Sequence, residues 1–186
     1  MPVKQIMTDS ESKMKKAVEV LQDEFKAVRT GRASTGLVEN IKVEYYGNPT
    51  PLKALASLST PQPDCILVKP FDPGSIKDVD KAILASDVGL TPMVDGKVIR
   101  LNVPPLTEER RRQLVHQVKG LGEQTKVSVR NVRRDAIKLL EKEKEGKTIT
   151  EDDLEKGKKQ LDDLTKQYTD KADHVVKHKS DEIMQG

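Results

Sequence analysis

Apolar residues fall at Met7, Met14, Val18, Leu21, Phe25 and Val28 in the first segment of the chain. From Met14 onward they recur at alternating steps of four and three, the spacing of one seam on an α-helix. Thr30-Gly31 is the expected stop, because glycine adopts the left-handed backbone that closes helices. The period then changes. Ile41, Val43 and Tyr45 alternate with Lys42, Glu44 and Tyr46, predicting a strand that ends at Gly47-Asn48-Pro49. Cys65 to Val68 reads as a covered strand. Residues 75–85 read as a short helix with Ile76, Val79, Ile83 and Leu84 on one side. Asp95-Gly96 signals a hairpin turn, followed by a strand in which Val98 and Arg100 alternate with Ile99, Leu101 and Val103.

After Pro104-Pro105-Leu106 the helical period returns. Thr107 is the expected N-cap, with Glu108 and Glu109 placed favourably against the helix dipole. The seam is Leu114, Val118, Leu121, Val129, Val132, Ala136 and Leu139, and nothing interrupts it before Gly146. A helix of that extent is about 58 Å long. Thr150 and Asp153 resemble a capping box for a third helix, with a seam at Leu154, Leu161, Leu164, Tyr168, Ala172, Val175 and Ile183. None of the three helices can bury its seam alone, so a three-helix bundle is the natural solution.

The predicted class is therefore α+β: an elongated, discontinuous bundle over residues 1–30 and 107–186, with a small, strand-rich α/β domain inserted over 31–106. Two chain crossings follow from this. One runs over Gly31, Arg32, Ala33, Ser34, Thr35 and Gly36, small and polar enough to hinge. The other covers 102–106 and is stiffened by Pro104 and Pro105.

Composition fits long helices on narrow seams: 34% of residues are charged, 3% are aromatic and tryptophan is absent. The lone Cys65 excludes an internal disulfide and fits a reducing compartment. No segment approaches the roughly 18 apolar residues of a membrane span. The opening residues, through Asp9 and Glu11, lack the apolar core of an export signal. A cytoplasmic protein without membrane association is expected.

The net charge of +3 conceals an uneven distribution: residues 107–149 carry 12 Lys/Arg against 7 Asp/Glu, and residues 150–186 carry 7 against 10. On a wheel at 100° per residue, Lys119, Lys126, Arg130 and Arg133 lie within about 60° of one another, with Arg134 beside them and the seam turned away. Arginine offers a planar fork suited to phosphate, and parallel cations without interleaved acids attract a polyanion. Charge pattern alone leaves a second reading open, in which these side chains pair with acids on the neighbouring helices. Arg29 and Arg32 form a second basic group at the end of the first helix, where cations also favour the dipole. Arg110, Arg111 and Arg112 form a third, close enough to Glu108 and Glu109 to pair within their own helix.

Catalytic and metal chemistry finds little support. His174 and His178 have a spacing that suits a metal, but no third ligand of fitting type lies nearby and His116 is on another helix. Asp152-Asp153 and Asp162-Asp163 read as helix-start and surface charges, and Cys65 as inert packing. There is no glycine-rich loop followed by Lys-Ser/Thr, so the chain itself is not expected to hydrolyse GTP. Neither enzyme activity nor a cofactor is expected. A rival from another class, a coiled-coil protein that oligomerises through its seams, is separated by sedimentation, since satisfied seams predict a monomer.

Five strings carry a family resemblance: Arg29-Thr30-Gly31-Arg32-Ala33; Val43-Glu44-Tyr45-Tyr46-Gly47; Ala85-Ser86-Asp87-Val88-Gly89-Leu90; Pro104-Pro105-Leu106-Thr107-Glu108-Glu109-Arg110-Arg111; and Val129-Arg130-Asn131-Val132-Arg133-Arg134-Asp135-Ala136. In this order and spacing, the chain resembles the bacterial ribosome recycling factors over nearly its whole length. The resemblance implies an L-shaped, roughly tRNA-sized molecule with a mobile second domain. It implies binding to the large-subunit ribosomal RNA of the post-termination ribosome, which is split into subunits with elongation factor G and GTP. It also implies RNA contact by Arg130, Arg133 and Arg134, to which the basic pattern adds Lys126, Arg29 and Arg110. Arg29 and Arg32 match family arginines at the first helix end and the hinge.

Overall fold

The computed structural model describes residues 3–186; the first two positions of the expected bundle range lie outside the described residues. The elements run α1 (Val3–Lys26), β1 (Lys42–Tyr45), β2 (Asn48–Pro51), α2 (Leu52–Leu55), β3 (Ala56–Gln62), β4 (Cys65–Pro70), α3 (Ile76–Ala85), β5 (Pro92–Asp95), β6 (Val98–Asn102), α4 (Glu108–Glu145) and α5 (Glu151–Gln185). The chain forms two compact units. One comprises Met1–Phe25 with Val115–Asp181, and the other Lys26–Leu114 with Glu182–Gly186.

The first unit is built on three helical seams. Along α1, Ile6, Ser10, Met14, Val18, Leu21 and Phe25 are buried at steps of three and four. Ile6 joins Ala136, Leu140, Leu154 and Leu161 in one core cluster, so α1, α4 and α5 bury one another. Polar residues on these seams satisfy themselves locally. Ser10 Oγ donates to the Ile6 carbonyl and Thr165 Oγ1 to the Leu161 carbonyl, each at 2.6 Å. Glycines let α4 and α5 approach: a Cβ at Gly157 would stand 2.8 Å from Leu140 Cδ1. The loop between them closes on a capping box. Thr150 N donates to Asp153 Oδ2 at 3.1 Å, and Asp153 N to Thr150 Oγ1 at 3.2 Å.

The second unit carries an antiparallel sheet in the order β3-β4-β6-β5 and a separate β1-β2 hairpin. In register, Ile66 stands opposite Leu101 and Val68 opposite Ile99. All four are fully buried in one cluster with Val79 and Ile83 of α3.

Four expectations change in detail. The first helix stops at Lys26 rather than Thr30, and the chain folds back so that a Cβ at Gly36 would lie 3.1 Å from the Lys26 carbonyl. The β1 strand ends at Tyr45, just before the expected stop, but Asn48-Pro49 does not leave the sheet. Tyr46 (φ 47°) and Gly47 (φ 79°) form a tight turn of the left-handed kind that matches strand twist, and Asn48–Pro51 returns as β2. Strand β3 is unexpected: Ala56 and Leu58 alternate with Ser57 and Ser59 and pack on the core, but the pattern ends there and Thr60-Pro61 reads as a break, which an edge strand tolerates. Leu84 and Leu139 are exposed, while Ile83 and Leu140 are buried, since one residue on a helix turns the side chain by about 100°.

Among the described residues no helix is long and apolar enough to cross a membrane. Nor is there a group of three or more His, Cys, Asp or Glu side chains fit to hold a metal.

Candidate nucleic-acid interface

The basic stripe of α4 divides in two when the bundle forms. The α4 seam centres between Val129, Ala136 and Leu140, all buried. Arg133 and Lys126 lie about 40° and 60° from that line, close enough for their stems to be covered by the neighbouring helix. Arg130 and Arg134 lie about 100° and 140° away and are exposed.

Ion pairing follows this geometry. Arg133 Nη1 donates to Asp162 Oδ1 of α5 at 3.1 Å, with the Arg133 side chain 34% exposed. Its Nε is buried without a hydrogen-bond partner. Lys126 Nζ lies 2.6 Å from Glu123 and 2.8 Å from Asp173 of α5, with its side chain only 14% exposed. Those hydrogen bonds, to Asp173 first and Glu123 next, hold the Lys126 ammonium above its ordinary pKa. By contrast, Arg130, Arg134 and Lys119 are exposed, and among the described residues no ion pair engages them. The interface therefore presents two free guanidinium groups one turn apart and a third that is held.

This corrects one premise of the charge pattern. The stripe does contain an interleaved acid, Glu123, three residues before Lys126 and bonded to it. The two readings left open are both realised, at different residues: inter-helix pairing at Lys126 and Arg133, free positive charge at Arg130 and Arg134. Pairs Lys126–Asp173, Arg133–Asp162, Glu141–Lys158 and Lys144–Glu151 step down the α4/α5 hairpin in antiparallel register. Asp162 and Asp173 were legible as partners by counting outward from the loop at 146–150, since residues equidistant from a hairpin loop face one another.

The other basic residues lie in the second unit, with different surroundings. Arg29 is half-buried, its Nη2 3.5 Å from the Pro104 carbonyl and its Nε buried without a partner. Arg110 is exposed; its backbone N–H donates to the Thr107 cap at 3.2 Å and its Nη1 to Gln113 at 3.0 Å. Arg112 pairs within its helix with Glu108, as expected, but Arg111 does not: its Nη1 donates to the Met184 carbonyl at 3.1 Å. Arg32 is exposed, beside Gly31 at φ 86°. Among the expected hinge residues, Ser34 Oγ accepts from the Gly36 N–H, capping a short 3-10 turn at Thr35–Leu37. Ala33 N donates to the Pro63 carbonyl at 2.7 Å, and Pro104 and Pro105 are exposed.

A family model described as Ribosome recycling factor matches residues 21–184 of the chain. The ribosome-recycling factor of Natranaerobius thermophilus is 51% identical over 181 residues, covering 96% of this chain and 97% of that protein. That of Oleidesulfovibrio alaskensis is 48% identical over 180 residues, covering 97% and 98%. A solution structure of a ribosome recycling factor superposes with a TM-score of 0.81 at 41% identity, covering 100% of this chain and 99% of that one. A second structure superposes with a TM-score of 0.69 at 36% identity, covering 99% and 100%. It describes the T. thermophilus ribosome recycling factor and the E. coli elongation factor G bound to the E. coli post-termination complex.

Proposed function

We propose a function from one premise: the chain belongs to the ribosome recycling factor family. It binds the post-termination ribosome through large-subunit ribosomal RNA in the cytoplasm. With elongation factor G and GTP, it splits the particle into subunits and releases it from mRNA for reuse. The observation that carries the gripping half is the pair Arg130 and Arg134, exposed and unpaired on a helix whose apolar side is buried. Unpaired arginines need not break a protein contact before meeting phosphate. Arg133 adds a held guanidinium to the same face, and Arg110, exposed in the second unit, adds charge of its own. Lys126 and Arg29 contribute charge from fixed positions. The relative bound with elongation factor G on a post-termination complex supports the choice of partners.

The second half of the reading is motion. Residues 31–36 and 102–106 serve as the hinge between the bundle (1–30 and 107–186) and the inserted domain (31–106). A left-handed Gly31 beside small polar residues supports bending, and Pro104-Pro105 limits it to a defined path. The factor itself performs no covalent chemistry; the energy comes from its partner's nucleotide. A subunit-splitting assay on post-termination ribosomes tests this. Dissociation should require the chain, elongation factor G and GTP together. Splitting that proceeds equally without the chain overturns the reading.

A further inference from the structure

We propose that Asp162 is a positioning residue for RNA binding: it holds the Arg133 guanidinium by one edge, so that the opposite edge meets phosphate. This rests on the arginine-face reading and extends it to α5, a helix with no role assigned so far.

Three features of Arg133 support the assignment. Nη1 is committed to Asp162 Oδ1 at 3.1 Å, and Nε is buried and unpartnered. Both N–H groups of Nη2 and the second N–H of Nη1 are therefore the donors left for a ligand, on a side chain that remains 34% exposed. A guanidinium has donors along separate edges, so one carboxylate and one phosphate can occupy it at the same time. Lys126 makes an instructive contrast. Its single ammonium nitrogen is already shared by Glu123 and Asp173 at 14% exposure, which leaves no separate edge to present.

Competition between Asp162 and phosphate is weak. The Asp162 side chain is 60% exposed, so water and salt screen its charge from a ligand approaching the far edge. Orientation is not screened. An unheld arginine samples many rotamers, and ordering it on binding weakens the complex, whereas Arg133 is ordered beforehand.

The test measures equilibrium binding of the full chain to isolated large ribosomal subunits. It uses Asp162→Ala, Asp162→Asn, Arg133→Ala and the double variant Asp162→Ala/Arg133→Ala. Asp162→Ala should bind about threefold to tenfold more weakly, the cost of ordering one long side chain. Asp162→Asn keeps an acceptor oxygen for Nη1 and should restore binding to within about twofold of the parent. In the Arg133→Ala background, Asp162→Ala should change nothing further. Equal or tighter binding by Asp162→Ala overturns the positioning role, as does an equal loss in the Arg133→Ala background. If Arg133→Ala itself binds like the parent, Arg133 does not touch the RNA, and its place on the arginine face falls with the inference.

Discussion

Gly122 on α4 lies so close to Val176 on α5 that a Cβ built on the glycine would overlap Val176 Cγ2. Gly120, two residues earlier, faces open space. The same substitution should therefore have opposite signs at the two positions. Gly120→Ala gains helix propensity and should stabilise by about 0.5–1 kcal/mol. Gly122→Ala gains the same propensity but overpacks a seam, at a cost of about 1–3 kcal/mol, for a net loss of about 1 kcal/mol. Urea unfolding midpoints measure both. Stabilisation by both variants would mean that the two helices can separate without penalty.

Arg130 and Arg134 are exposed and make no ion pair among the described residues, so removing them should affect binding and not folding. Arg130→Ala should weaken large-subunit binding about tenfold, the scale of one charge-assisted hydrogen bond. The slope of log affinity against log salt should fall by about 0.7–0.9 for each phosphate that is no longer engaged. The melting temperature should not move. An unchanged salt slope would point to a protein partner at this face.

Gly31 adopts φ 86°, while a Cβ there would meet nothing nearer than Leu106 N at 3.7 Å. Gly31→Ala should thus cost about 1–2 kcal/mol of stability through backbone strain alone, without a clash. Gly31→Pro forces φ to about −65° and restricts the proposed hinge. Subunit splitting should then fall more than ribosome binding. Equal loss of both would show that the segment positions the domain without bending.

The Thr150–Asp153 capping box should be visible in the pH dependence of stability. The Thr150 hydroxyl and then the Thr150 N–H hold the Asp153 carboxyl below its ordinary pKa. Because the folded value is lowered, the stabilisation is present above the ordinary carboxylate range and is lost as pH falls through it toward the folded value. Asp153→Asn should flatten that acid-side loss in thermal melts recorded across this range. Thr150→Ala should lower stability by about 1 kcal/mol at neutral pH, the scale of a removed N-cap. An unaltered acid-side slope in Asp153→Asn would show that the box does not persist in solution.

Local order explains which elements can be read in advance. The seams of α1, α4 and α5 repeat over many turns, and the caps at Thr107 and Thr150 act within three residues, so both are written in neighbouring positions. Strand β3 cannot be read this way, since its pairing with β4 is a long-range choice and its apolar alternation is only two residues long, Ala56 and Leu58. Strand β2 escapes for a related reason: Asn48 and Pro49 look like the end of a strand, while the positive φ at Tyr46 and Gly47 lets the chain turn within two residues.

For the candidate interface, the residue order by itself determined that α4 carries a basic stripe away from its seam. Position on one helix sets that, through periodicity alone. Which cations stay free was decided only when α5 packed beside α4. Arg133 and Lys126 flank the seam within reach of Asp162 and Asp173, while Arg130 and Arg134 turn beyond any neighbouring helix. Pairing between helices depends on inter-axial distance and register, which no single-helix wheel contains. The stripe belongs to the sequence; its division into held and open charge belongs to the packed bundle.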